Sequence, residues 1–272
     1  MNKKHIKNTT LLLVLLSTKS LLAGNINLAK WTLQDPTSGS SKVRSTELVD
    51  KYSNSWFRQK SSSIRITAPK NGKTSGSSGV RTELIGEYGN GDNARLNKDR
   101  GETWRPKDND KNKLTFKFKP KKALDGRVYI NQIHTKNAGK RPLVMALWDE
   151  KNEKITLEIR KSNSSSSKIV RHDIHGIKKN STYEVRTGID VKNGNYNLFY
   201  YVKKGSATIA TYRAYFGEKI PGSNETLSTS WLDDKCYFKV GAYNKTKRSG
   251  STPGGSYSRV ELYSILTEHY KY

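Results

Sequence analysis

Short runs in which apolar and polar residues alternate recur along most of this chain. Residues 63–67, 113–119, 144–148, 154–160, 196–202, 207–212 and 259–262 each keep the two-residue period of a strand with one packed face. In the run at 113–119, Leu114, Phe116 and Phe118 form the apolar set, against Lys113, Thr115, Lys117 and Lys119. That wet face is basic, not merely polar. Clusters of Gly, Asn, Ser and Lys separate the runs, and no segment sustains a helical period beyond two turns. Many short strands without strand–helix–strand alternation predict an all-β sandwich or barrel. The serine-rich stretch 162–167 is too short to act as an interdomain linker, so a single domain is expected over residues 24–272. Residues 89–100 and 249–256 read as loops able to overhang a cleft.

Three runs carry chemistry on their polar face. In CYFKVGAYNK (236–245), Cys236, Phe238, Val240 and Ala242 are apolar, while Tyr237, Lys239, Gly241 and Tyr243 share the other face. The glycine lets something approach the backbone closely. In RVYINQIHTK (127–136), strict alternation sets Val128, Ile130, Gln132 and His134 on one face and Tyr129, Asn131 and Ile133 on the other. In VRTELIGE (80–87), Arg81, Glu83 and Ile85 oppose Thr82 and Leu84. Each run has an ordinary explanation: amphipathic tyrosines on a half-buried strand, a polar surface histidine, a solvated Arg–Glu pair. Together they gather Arg, Gln, His, Lys and Tyr, a set almost wholly cationic or neutral.

Charge and address narrow the partner. The first 23 residues read as a secretory signal peptide: Lys3, Lys4 and Lys7 are basic, 11–16 is unbroken apolar sequence, and Ala23 offers a small residue for cleavage. The apolar run is too short to span a bilayer. A secreted or periplasmic protein is expected, acting as a monomer. The formal charge is +26, and removal of the leader's four lysines leaves +22. Such a balance favours polyanions. Export argues against nucleic acid, and the lack of a basic amphipathic helix argues against a membrane. An anionic polysaccharide fits as well, and solubility alone explains a good part of many basic surfaces. Cys236 is the sole cysteine, so no intramolecular disulfide forms, and its apolar face marks it as a small buried hydrophobe.

Three other signals fail on spacing. Gly72-Lys73-Thr74 lacks the first glycine of a phosphate loop, with Thr67 in its place, and precedes a strand. DNDKN (108–112) has Lys113 where a calcium loop needs its turn glycine and Lys119 where it needs the bidentate acid. His172 and His175 lack a third ligand, so no metal is expected.

RTEL (81–84), QIH (132–134) and YFKVGAYNK (237–245), taken in order, resemble the three signature segments of polysaccharide lyase family 7, the alginate lyases. The likeness covers nearly the whole chain after the leader. INLAKWTLQDP (26–36) is similar to the family's opening strand, and TAPKNGKTSGSSGVRTEL (67–84) to the loop leading into its arginine strand. The resemblance implies a jelly-roll β-sandwich of two antiparallel sheets, the concave one forming a substrate groove. It also implies β-elimination from a polyuronate to give 4,5-unsaturated ends, without metal or organic cofactor.

The residues suit that chemistry. The C5 proton of a uronate is barely acidic while its neighbouring carboxylate keeps its charge, so donors aimed at that carboxylate stabilise the enolate-like state. Arg81 and Gln132 supply them. His134 is the natural base near neutral pH. Tyr243 is the natural acid for the departing O4, and also a base if Arg81 and Lys239 depress its pKa. The resemblance assigns the same four catalytic positions. Glu83 is expected to orient Arg81 or touch a sugar hydroxyl, Lys239 to hold a neighbouring carboxylate, and Asn244 and Lys245 to complete the substrate contacts. If the basic face of 113–119 lines the groove, Lys117 and Lys119 meet the polymer there. Two positions depart from the family: Ile85 stands where a second arginine is common, and Lys245 replaces a common glutamine. Within the family, Ile133 of QIH goes with guluronate-containing substrate. The alternatives are a lyase of another acidic polymer such as polyglucuronate, and a non-catalytic lectin-like module.

Overall fold

The computed structural model describes residues 26–37, 42–74, 77–86, 103–136 and 141–271. The leader and the loop at 89–100 lie outside them. Fourteen strands form two seven-stranded antiparallel sheets. The first runs in space β1 (Trp31–Gln34), β4 (Arg81–Gly86), β13 (Cys236–Asn244), β6 (Arg127–Thr135), β7 (Pro142–Asp149), β8 (Lys154–Arg160) and β9 (Ile169–His175). The second runs β12 (Ala207–Tyr215), β11 (Asn195–Lys204), β10 (Tyr183–Lys192), β5 (Lys111–Lys122), β14 (Gly254–Tyr270), β3 (Ile64–Asn71) and β2 (Phe57–Gln59). Among the described residues the one α-helix is a short one, Ser45–Val49.

The alternating patterns dictate this stacking. Leu84, Ile133, Leu157 and Phe238 of the first sheet share a buried cluster with Ile66, Phe116, Tyr200 and Leu262 of the second. Each fully buried side chain of this size contributes about 1.5–3 kcal/mol. Polar ties register one sheet on the other near the motif strands. Tyr200 donates to Asn131 Oδ1 at 2.9 Å, and Thr82 donates to the Thr67 carbonyl at 2.7 Å. Cys236 sits in the same core, fully buried, with its backbone bonded in both directions to Trp104.

Three expectations are corrected here. Strict alternation fails on β6, because the pairing with β7 shifts between Tyr129 and Asn131. That bulge turns Val128, Ile130 and Ile133 all into the core. Asn131 joins them there, and Tyr129 shares the outer face with Gln132 and His134. Next, β5 is central to the second sheet, between β10 and β14, so Lys117 and Lys119 face away from the motif strands and do not line the groove. Finally, Asn244 points away from any substrate: its amide donates to the carbonyls of Ala68 and Pro69 on β3, at 3.2 and 2.8 Å.

Candidate active site

The register of the first sheet assembles the three motifs. Strand β13 lies between β4 and β6, pairing Tyr243 with Arg81 on one side and Lys239 with Gln132 on the other. All of these side chains project from the face opposite the core. Yet Arg81 is 9 % exposed, Gln132 2 %, Lys239 3 % and Glu83 1 %. An outer face that hides its own polar groups is curved around them, which is the shape of a groove.

Glu83 is the hub of this floor. It accepts a hydrogen bond from Gln132 Nε2 at 2.5 Å, and its other oxygen lies 3.6 Å from Arg81 and 3.5 Å from Lys239. Glu83 and Gln132 sit on strands two apart and meet across β13, over Gly241, which pairs with Glu83. A Cβ at Gly241 would lie 2.3 Å from the Thr82 carbonyl oxygen. The close approach expected at this glycine is therefore that of the neighbouring strand. Glu83 is thus placed to orient Arg81, with Gln132 as its hydrogen-bond donor and the Arg81 and Lys239 cations beside its other oxygen. Lys239 lies against the same Glu83 oxygen. Burial, partly offset by Glu83, pulls its ammonium down to about 8.

Arg81 lies 4.4 Å over the Tyr243 ring. Its contact with Glu83 is too long for a hydrogen bond, so most of its five donors remain available for an incoming carboxylate. Burial raises the Tyr243 phenol above its ordinary range. Arg81 works against that rise and Glu83 adds to it, while hydrogen bonds from Ser77 and Arg81 lower it. The condition for a base role, a phenol depressed by nearby cations, is not met: desolvation outweighs Arg81, and Tyr243 rests protonated. His134 shares the face, stacked on Tyr237 with ring centroids 5.1 Å apart, and its Nδ1 lies 2.8 Å from the Thr135 carbonyl. It pairs with Tyr237, five positions along β6 from the Tyr129–Tyr243 pair (134 against 129). The structure thus brings Arg81, Glu83, Gln132, Lys239 and Tyr243 into one set of contacts and places His134 further along the same groove. Ile85 pairs with Lys239 on the floor and is 4 % exposed.

Lys245 belongs to a second group, whose other members were missed from sequence. Tyr129, whose ring lies 5.4 Å from that of Tyr243, donates to Glu158 at 2.8 Å and accepts from Lys245 at 2.5 Å. Glu158 also meets Arg171 at 3.3 Å. Burial would raise the Glu158 carboxyl, but the Tyr129 hydrogen bond and the charges of Lys245 and Arg171 hold it below its ordinary value. Beside this group a pocket of about 450 Å³ continues the groove toward Leu147, Thr156 and Gly222. The alternation of KITLEIR, with Thr156 and Glu158 opposite Leu157, was the signal available. Among the described residues no cluster of three or more His, Cys, Asp or Glu side chains could hold a metal ion.

A two-sheet sandwich with a cationic and phenolic groove defines a polysaccharide-processing protein of the jelly-roll class. The alginate lyase family model matches residues 26–269, and the chain belongs to that family. Its fold is that of solved alginate lyases. One from Pseudomonas aeruginosa is 22 % identical, with a TM-score of 0.68 over 89 % of this chain and 99 % of that one. Alginate lyase A1-II', a member of polysaccharide lyase family 7, is 21 % identical, with a TM-score of 0.68 over 92 % of this chain and 99 % of that one. The exolytic enzyme AlyA5 of Zobellia galactanivorans is 15 % identical, with a TM-score of 0.64 over 91 % of this chain and 97 % of that one. No curated protein sequence gives a significant match.

Proposed function

We propose that this chain cleaves alginate by β-elimination in the groove of the first sheet. The observation that carries the proposal is the Arg81 guanidinium lying over the Tyr243 ring, with Gln132 linked to the same carboxylate, Glu83. A uronate carboxylate drawn to Arg81 and Gln132 loses some of its charge, which makes C5–H more acidic. A base removes that proton, the electrons form the C4–C5 double bond, the C4–O4 bond breaks, and an acid protonates O4. Tyr243, protonated at rest, suits the last step. C5–H lies on opposite faces in guluronate and mannuronate, so the base differs with the epimer: His134 serves one, and for the other Tyr243 would first have to give up its proton against the burial that raises its pKa. Variants of alginate lyase A1-II' have been solved with the product GGG and with the substrate GGMG. This supports a guluronate-containing substrate here. Ile133 lies in the core, so any influence on that preference acts through the placement of Gln132 and His134. Export after cleavage near Ala23 and a monomeric state belong to the same proposal.

A lyase of another polyuronate is the second reading, favoured by Ile85 and Lys245 at two positions of the groove where the family commonly carries an arginine and a glutamine. One experiment tests both. Mature protein is incubated with alginate, separated guluronate and mannuronate blocks, and polyglucuronate, and ultraviolet absorbance of the unsaturated product is followed with and without chelator. Cleavage of guluronate-containing alginate that survives chelation is expected. Saturated ends would indicate a hydrolase, faster cleavage of polyglucuronate the second reading, and no cleavage of any polymer a lectin-like module.

A further inference from the structure

Lys117 and Lys119, which sequence alternation set on a wet basic face, lie on the opposite side of the molecule from the groove. Along the middle of the second sheet's outer face, β5 and β14 interleave cations with phenol rings. Lys119 Nζ lies 5.3 Å from the Tyr263 ring, and Lys122 Nζ and Arg259 Cζ lie 4.6 and 4.5 Å from the Tyr257 ring. Arg259 pairs with Lys122, and Lys117 pairs with Ser264. Nearby Lys60 and Lys113 are closed by Glu261 and Glu268. Among the described residues Lys117, Lys119, Lys122 and Arg259 have no carboxylate within ion-pair distance. Lys117 and Lys122 stand exposed.

We propose that this face is a second, non-catalytic binding surface for a polyuronate chain, separate from the groove and on the other sheet. The inference rests on the proposed polyuronate substrate. Four cations form a stripe on two neighbouring strands. The carboxylates opposite them, Glu184 across from Lys117 and Glu261 across from Lys119, are themselves held by Arg186 and Lys60. Alternate positions on a strand repeat about every 7 Å. A polymer with one carboxylate on each sugar can meet such a stripe in many registers, which suits retention rather than chemistry. The tyrosine rings hold Lys119, Lys122 and Arg259 in place, so these long side chains lose less freedom when they engage carboxylates. Glu261, a carboxylate on this face, is already tied to Lys60 and Tyr263, so the stripe is built to hold polymer and not to cut it. A chain segment held on the back raises the local concentration of further segments at the groove of the same or a neighbouring molecule.

The test compares wild type with a Lys117→Gln, Lys119→Gln, Lys122→Gln, Arg259→Gln variant. Both are applied to immobilised long-chain alginate at low salt, with the groove saturated by a uronate tetramer. Wild type should stay bound and elute only as salt rises. The variant should wash off with at least a tenfold weaker apparent affinity, while its turnover of the tetramer stays within twofold of wild type. A variant that elutes with wild type overturns the proposal. If tetramer turnover also falls, a version with arginine at the three lysine positions decides. Recovery of retention supports the surface, and failure to recover overturns it. Duplex DNA serves as the competing polyanion. If it displaces wild type at a lower charge concentration than soluble alginate does, the surface is one for nucleic acid and the proposal falls. Absence of unsaturated product from wild type would instead strike the proposed activity, and is read independently.

Discussion

On the outer face of the first sheet Glu83 is 1 % exposed and enclosed by Arg81, Gln132 and Lys239. On the outer face of the second, Lys117 and Lys122 stand in solvent, and the Tyr257 ring packs against Lys122. The residue types are similar; their surroundings are not. A charge taken out of water interacts strongly and locally, resists salt, and costs stability when its partner is removed. A charge left in water acts over a Debye length and matters through numbers. Location therefore decides which lysine belongs to a reaction centre and which to an encounter surface, and composition alone cannot say.

The largest expected effect breaks the groove side of this contrast. Tyr243→Phe keeps the ring under Arg81 and removes the proton, so turnover should fall by about 10²–10⁴-fold. Polymer retention should hardly change, since both surfaces remain. A variant turning over near the wild-type rate would remove Tyr243 from the mechanism.

Next in size is Glu83→Gln. It leaves Arg81 and Lys239 side by side without their anion, and breaking a buried pair of this kind costs about 3–5 kcal/mol. Chemical denaturation should show that loss, whereas Lys117→Gln on the other face should change stability by less than about 0.5 kcal/mol. Equal effects at the two positions would mean that the burial contrast carries no energetic weight.

The third effect is a pH dependence. Lys239 titrates near 8 when folded, against an ordinary 10.5. Between those values the unfolded chain binds a proton that the folded chain has released, so stability from this group rises with pH across the window. Below the folded value the penalty is fully present and constant. Lys239→Met abolishes the dependence. The difference in unfolding free energy between wild type and variant should therefore move toward wild type from pH 8 to 10. A difference flat with pH would show that Lys239 keeps its proton.

Much of this arrangement was legible in the sequence. Alternation in CYFKVGAYNK and VRTELIGE placed Tyr237, Lys239 and Tyr243, and Arg81 and Glu83, on the correct faces, because those two strands run in continuous register. It failed on RVYINQIHTK, where one extra residue near Ile130 reverses every side chain before it, and a bulge leaves no composition signal. The alternation of KLTFKFK was also right, yet a period says which face is wet and not which of two sheets the strand joins. Asn244 was misplaced for a related reason: it ends its strand by reaching across to β3. The group of Tyr129, Glu158, Arg171 and Lys245 draws on three strands and the residue just past a fourth, and only the sheet order unites it.

Cys236 offers a different use of the same architecture. It is the chain's one thiol, wholly enclosed, and burial pushes it well above the ordinary range of a cysteine. Any thiol-directed label must therefore wait for β13 to come away from the core, and β13 is the strand that carries Lys239 and Tyr243. The ratio of the labelling rate to that of a free cysteine gives the free energy of that local opening when reclosing outpaces modification. The molecule thus contains a native clock on the catalytic strand. Run with and without a bound oligouronate, it would weigh how firmly substrate fastens the strand, with no mutation and no assay of turnover.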